Sequence, residues 1–413
     1  MKAIIQAIPQ KALVDDVVKI VVNHLNPNQQ VTVGAHLQED KIKFGSYAHF
    51  KADGNGLVDL SLHPSMGGSY TDVMPMGLFC SLVPMPGQKK GLRLIKKDVT
   101  TPLTFELSVY DGIHHIDDID HTTPMLAFTS IERSYLAKGV SVQEINHGNI
   151  RGRLFLPEGT GPFPGVIDMF GNVGNIVTFR SALLASRGFA TLCLPYIHYK
   201  DLPKKLDGIR LEYFEEAVDG QLVIHCIENG HRNNRRFSRW EMCTIKAVFA
   251  SMTSIHGSIS YTMGISLFLN RRILNTYELK HHPEGVSFLE FTEDIHDHNL
   301  IALERAQAEI LFIVSGDDKS VMSVKETTAV TDRMKRHGKH NYEMCVYPGA
   351  GHLVEPPYSP LCTASYHATM GLQMAWGGEL KAHSFAQENS WRKIQQFLRK
   401  NLQQDGVQIS SML

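Results

Sequence analysis

The run Ile310-Leu-Phe-Ile-Val314 ends in Ser315-Gly316-Asp317-Asp318, and Tyr342-Glu-Met-Cys-Val-Tyr347 ends in Pro348-Gly349-Ala350-Gly351-His352. Both runs are short, largely apolar and bounded by turn-forming residues, which predicts buried strands. Val324 to His337 between them has the length of a crossover helix. Such a strand-helix-strand unit belongs to a mainly parallel sheet, where side chains beyond the carboxyl ends of neighbouring strands meet in a crevice. Asp318 and His352 occupy those ends, thirty-four residues apart. In a catalytic triad a carboxylate fixes the histidine tautomer and stabilises the imidazolium that forms, so these two are the candidate acid and base. Asp317 is the rival acid. The blander alternative is a polar turn and one of 21 histidines in a flexible loop.

The same texture extends backwards. The segment VSVQEINHGNIRGRLFLPEGTGPFPGVIDMFG predicts two strands before the helix-like TFRSALLASRGFATLCLPY, and Pro164 to Phe170 has the profile of a buried strand. Leu211 to Ile227 has helical spacing, with Phe214, Val218 and Leu222 on one face. From about Val17 to Ser130 the pattern differs. There VTVGAHL, SYAHFKA, LVDLSL and LTFELSVYDG alternate apolar with polar residues and are broken by Gly, Pro and Asp, which predicts an antiparallel sandwich. After a linker-like HTTPM around His121, the texture changes near Val140, so two domains are expected, 1–140 and 141–413.

The 413 residues, 43% hydrophobic and 20% charged, suffice for two such cores. A net charge of −1 provides no electrostatic footprint for nucleic acid or a membrane surface. No stretch approaches eighteen uninterrupted apolar residues, so no membrane span is expected. Six dispersed cysteines without metal-finger spacing imply reduced thiols, hence an intracellular setting and no metal site. Ser411-Met412-Leu413 resembles a peroxisomal address, leaving a cytoplasmic or peroxisomal location as the expectation.

A triad also needs a nucleophile. On sheets of this kind it occupies a strained strand-to-helix turn, G-x-S-x-G, and neither that pattern nor its cysteine counterpart occurs. Ser141, Ser266 and Ser287 follow G-x but lack the second half of the turn, and Cys243 reads more simply as a small buried hydrophobe.

Gly67-Gly-Ser-Tyr, Pro75-Met-Gly-Leu, PFPGVIDMFG, LEYFEEAV, YPGAGHLVEPPYSPLC and WGGELKAHSFAQENSW together resemble the family of acyl-CoA thioesterases and bile acid-CoA:amino acid N-acyltransferases. The resemblance spans most of the chain. It implies an N-terminal immunoglobulin-like β-sandwich, a C-terminal α/β-hydrolase domain and acyl-CoA substrates, with no cofactor or metal. By position Asp318 and His352 match the family's triad acid and base. Phe170-Gly171-Asn172 matches the loop whose N–H groups would complete an oxyanion hole. Between LEYFEEAV and Ile245-Lys-Ala-Val-Phe249, where the family has strand, elbow and helix, this chain has a shorter polar segment. Phe237-Ser238-Arg239-Trp240 echoes the family's wording there, making Ser238 the positional nucleophile, with Trp240 where the elbow needs glycine. The neighbouring Arg232, Arg235, Arg236 and Arg239 would either meet coenzyme A phosphates or form a solvated face. Thioester hydrolysis of fatty acyl-CoA is therefore the leading expectation, with two alternatives: acyl transfer to glycine or taurine, which the family associates with a cysteine nucleophile, and acyl-CoA binding by a catalytically inactive member.

Overall fold

The computed structural model describes residues 2–89, 91–119, 122–170, 175–204, 208–218, 280–287, 289, 300, 302–367 and 371–402. The N-terminal part is built on two-residue alternation. In β1 (Ile4–Ile8) and β3 (Lys19–Asn23) every second side chain is buried, so each strand has one apolar face. With β6 (Val58–Asp59) they form the antiparallel sheet β1-β3-β6. A larger sheet has the order β2-β9-β8-β4-β5-β7, from β2 (Lys11–Leu13), β4 (Gln30–Glu39), β5 (Ile42–Lys51), β7 (Val83–Pro84), β8 (Leu103–Asp111) and β9 (Met125–Ser134). Its pairings are antiparallel except β2 with β9. Ile20 and Val22 of the small sheet and Val33, Phe50 and Leu107 of the large one share one hydrophobic cluster, which makes the pair a sandwich.

Two sequence expectations need correction here. The LVDLSL run yields only the two residues of β6, because the Asp59 carboxylate accepts hydrogen bonds from the N–H and hydroxyl of Ser61 and turns the chain. Of the linker-like HTTPM, His121 lies outside the described residues and Met125 already opens a ten-residue strand paired with β8. A single helical turn, α1 (Gly77–Cys80), is pinned to β5 by the Ser46 hydroxyl donating to the Leu78 carbonyl.

Beyond Ser134 the pattern becomes α/β. The stretch read as two strands supplies the hairpin β10 (Ser141–His147) and β11 (Ile150–Leu156), followed by β12 (Gly165–Asp168). Helix α2 (Phe179–Ser186) crosses over to β13 (Ala190–Cys193), which lies parallel to β12 in a sheet of order β10-β11-β13-β12. Helix α3 (Leu211–Val218) begins where helical spacing predicted; residues 219–227 of that prediction lie outside the described residues. A short hairpin follows, β14 (Lys280–His282) and β15 (Gly285–Ser287).

Next come β16 (Ile310–Ser315), α4 (Ser323–Arg336) and β17 (Tyr342–Tyr347), the predicted crossover unit. All six β16 residues are buried, as expected of a strand covered on both faces, whereas β17 departs from the expectation of a buried strand, with Glu343 and Val346 exposed and Tyr347 alone buried. Arg333, Lys335 and Arg336 complement the negative end of α4, and Gly338, at φ +71°, closes it. Strands β18 (Ala364–His367) and β19 (Leu372–Ala375) join β14 and β15 in a mixed sheet. The last element, α5 (Leu380–Leu402), turns a stripe of Gln387, Ser390, Trp391, Ile394 and Leu398 inward.

The two halves are tied by charge as well as by packing. Asp15, buried, accepts both nitrogens of the Arg187 fork at 2.9 and 2.6 Å and the Trp391 indole N–H at 2.8 Å. A bidentate, charge-assisted contact of this kind fixes orientation as well as distance.

Candidate active site

Strands β16 and β17 run parallel with Ser315 opposite Tyr347, so the loops that follow them leave the sheet side by side. They are then laced together. Gly316 N–H donates to the Tyr347 carbonyl and Asp317 N–H to the Ala350 carbonyl, both at 2.9 Å, while the Ser315 hydroxyl donates to the Gly351 carbonyl at 2.7 Å.

The result is a direct contact between the two residues singled out in the sequence. His352 Nδ1 lies 2.8 Å from Asp318 Oδ2, with both side chains largely shielded. An ionised carboxylate only accepts, so Nδ1 donates and Nε2 is the basic nitrogen of the ring. Asp318 is itself immobilised. Its Oδ1 accepts from the N–H groups of Ser320 (2.8 Å) and Val321 (3.1 Å), and its Oδ2 accepts from the Ser323 hydroxyl at the start of α4. The imidazole face is fixed too, stacked on Trp376 with centroids 5.3 Å apart and planes 19° from parallel. His352 N–H donates to the Trp376 carbonyl at 2.8 Å, and the Trp376 indole N–H donates to the Ser365 hydroxyl at 2.9 Å. This constellation can take up and return a proton at one defined atom.

Asp317, the rival acid, faces elsewhere. Burial opposes its charge, but the Lys319 ammonium at 2.5 Å and the Gly378 N–H at 2.9 Å hold its carboxyl below the ordinary value. It ties the loop to the chain after β19 and takes no part in the contact with His352.

At the end of β12, the buried Asp168 accepts from Arg180 Nε at 2.6 Å and from the Ser181 hydroxyl at 2.7 Å. Arg180 also donates to the Met169 carbonyl at 2.7 Å and lies 5.4 Å over the Phe170 ring. The root of the predicted oxyanion loop is thereby anchored to α2. Gly171 and Asn172 lie outside the described residues, as do Ser238, Ser266, Cys243, the arginines 232–239 and Ser411-Met412-Leu413. Ser141 heads β10, exposed, and Ser287 closes β15, buried, its hydroxyl accepting from Leu289 N–H. Ser141 opens a hairpin strand and so does not sit on a strand-to-helix elbow; Phe288, next to Ser287, lies outside the described residues.

The described cysteines are free thiols. Burial pushes Cys80 and Cys193 up to about 12 and also raises Cys345 and Cys362, so none of the four is an activated thiolate at neutral pH. Among the described residues no group of His, Cys, Asp and Glu is arranged to hold a metal ion, and no helix is long and apolar enough to cross a membrane.

A cleft of about 430 Å³ opens between residues 82–89 and 91–94 on one side and residues 360–364 on the other. Apolar Phe44, Leu82, Met85, Leu94 and Leu361 line it, together with Arg93 and Cys362. The carbonyl of its lining residue Thr363 accepts the Trp376 backbone N–H at 2.7 Å, so Trp376 lies between the cleft and His352 in the chain of contacts. Sequence reasoning missed Trp376, Ser323 and Arg180. Only Trp376 carried a signal, as the first residue of WGGELKAHSFAQENSW.

Residues 15–147 match the family described as Acyl-CoA thioester hydrolase/BAAT N-terminal region, and residues 244–404 match BAAT / Acyl-CoA thioester hydrolase C terminal. The chain belongs to this acyl-CoA thioester hydrolase/BAAT family. Among its relatives, mouse acyl-coenzyme A amino acid N-acyltransferase 1 is 40% identical over 417 residues, covering 98% of this chain and 99% of the relative. Human bile acid-CoA:amino acid N-acyltransferase is 39% identical over 422 residues (96% and 97%), and human acyl-coenzyme A thioesterase 1 is 36% identical over 403 residues (94% of each). Ser238 falls in the stretch 148–243 that neither family description covers.

Proposed function

We propose that the chain is an acyl-CoA thioesterase with a serine-type triad, its residues 1–140 an immunoglobulin-like sandwich and 141–413 an α/β-hydrolase domain. The observation that carries this reading is the 2.8 Å contact of His352 with Asp318 at the carboxyl ends of adjacent parallel strands. In the proposed reaction a serine hydroxyl attacks the thioester carbonyl while His352 Nε2 takes its proton. The coenzyme A thiolate leaves with a proton returned by His352, and water then enters by the same base to release the fatty acid. Asp318 holds the tautomer throughout. Ser238 is the proposed nucleophile, and N–H groups around Phe170, Gly171 and Asn172 are the proposed oxyanion donors. The apolar cleft beside Trp376 would accept the acyl chain.

A second reading, transfer of the acyl group to glycine or taurine, is favoured by the names of the relatives at 39–40% identity. The raised thiols of the four described cysteines weigh against it at those positions.

The test is release of coenzyme A thiol from a panel of acyl-CoAs, with His352→Ala and Ser238→Ala alongside and glycine and taurine added in parallel. Loss of release in both variants supports hydrolysis through Ser238. Loss in His352→Ala alone moves the nucleophile elsewhere, N-acylated product by mass spectrometry establishes conjugation, and no turnover by folded wild-type protein overturns both activities in favour of a catalytically inactive acyl-CoA binder.

A further inference from the structure

One turn into α5, His383 is only 2% exposed, yet both of its ring nitrogens are engaged by one short loop. Gly351 N–H donates to His383 Nδ1 at 3.1 Å, and His383 Nε2 lies 3.1 Å from the Leu353 carbonyl. An amide N–H only donates and a carbonyl only accepts, so the partners themselves define a neutral ring with its proton on Nε2. The two contacts flank His352 on either side.

We infer that His383 is a positioning residue for His352, holding the peptide groups before and after it so that Nδ1 stays within reach of Asp318. The inference rests on the reading of His352 and Asp318 as base and acid. Its physical basis is leverage. The His352 ring swings from a backbone held at residue 351 by Ser315 and at residue 352 by Trp376, and at residues 351 and 353 by His383. A displacement of about 1 Å at such a base costs on the order of 100-fold in rate. Asn or Gln at 383 presents either an acceptor toward Gly351 or a donor toward Leu353, whereas Ala presents neither.

Two measurements on His383→Ala, His383→Asn and His383→Gln test it. The first is thiol release from a saturating acyl-CoA: kcat should fall roughly 10- to 100-fold in His383→Ala with KM within about twofold, and partial recovery is expected in at least one amide variant. The second needs no turnover. The strongly deshielded proton resonance of an imidazole N–H bonded to a carboxylate should be present in wild type, absent in His352→Ala, lost in His383→Ala and restored in the better amide variant. If wild type has no activity but the resonance behaves this way, the thioesterase reading fails while the positioning role stands. A folded His383→Ala with unchanged resonance and unchanged kcat overturns the role, and so does failure of both folded amide variants to restore either one.

Discussion

Arg93, on the segment that lines the cleft, forms an ion pair with Glu355, three residues beyond His352, and both side chains are about nine-tenths buried. Burial pushes the Glu355 carboxyl up while the Arg93 guanidinium pulls it back. Removing one partner strands the other charge, whereas replacing both by apolar groups does not. Glu355→Gln should therefore lower unfolding stability by about 3–5 kcal/mol, and Arg93→Met with Glu355→Leu by much less. Urea unfolding of Glu355→Gln, of Arg93→Met and Glu355→Leu singly, and of the Arg93→Met/Glu355→Leu double variant measures this; purely additive losses in the Met/Leu cycle would show that the pair is not coupled.

Asp318→Asn should lower kcat on the order of 10⁴-fold while sparing the fold, as the equivalent exchange does in a protease triad by favouring the wrong histidine tautomer. The shape of the site is preserved, because the Ser320 and Val321 N–H groups can still donate to an amide oxygen in place of Oδ1, while the amide nitrogen in place of Oδ2 donates to the Ser323 hydroxyl and to His352 Nδ1. Steady-state kinetics beside circular dichroism is the check, and a rate within tenfold of wild type would remove Asp318 from the mechanism.

Why was the acid-base half of the site legible and the rest not? Ile310–Ser315, Ser323–Arg336 and Tyr342–Tyr347 match the expected strand, helix and strand almost to the residue, because an apolar run sets each strand and the crossover has a fixed length, although only the first strand is buried as expected. Asp318 and His352 follow from that topology. The Trp376 stack and the Ser323 hydroxyl on Asp318 do not, since they depend on where β19 and α4 come to rest, a tertiary fact without local periodicity. LVDLSL misled for the opposite reason: its alternation is real, but the Asp59 side chain competes with the strand ladder for backbone N–H groups.

Two glycines, one in the loop that carries His352 and one beyond the far end of α4, should respond differently to alanine. A Cβ at Gly351 would lie 2.1 Å from the Gly377 carbonyl oxygen, a backbone atom that cannot swing aside. A Cβ at Gly338 meets nothing within 4 Å but sits at φ +71°. Gly338→Ala should cost only about 1–2 kcal/mol, the left-handed penalty, with activity intact. Gly351→Ala should cost more and abolish thiol release, because the loop carrying His352 must move. Equal stability and equal activity of the two variants would contradict the crowding.

The pH dependence of stability should carry the signature of His383. Burial lowers its pKa from 6.5 to about 4, only partly offset by the hydrogen bond to Leu353. The folded protein therefore binds fewer protons than the unfolded chain in this range, so stability rises with pH. Its contribution is complete above about pH 6.5, declines as the unfolded histidine protonates, and is lost by about pH 4, where the folded ring accepts its proton against the Gly351 N–H. That depression corresponds to about 3 kcal/mol over the interval. Urea midpoints measured from pH 4 to 8 should fall more steeply in wild type than in His383→Gln, whose amide does not titrate, and parallel curves would mean that His383 is not held as the neutral ring its two partners require.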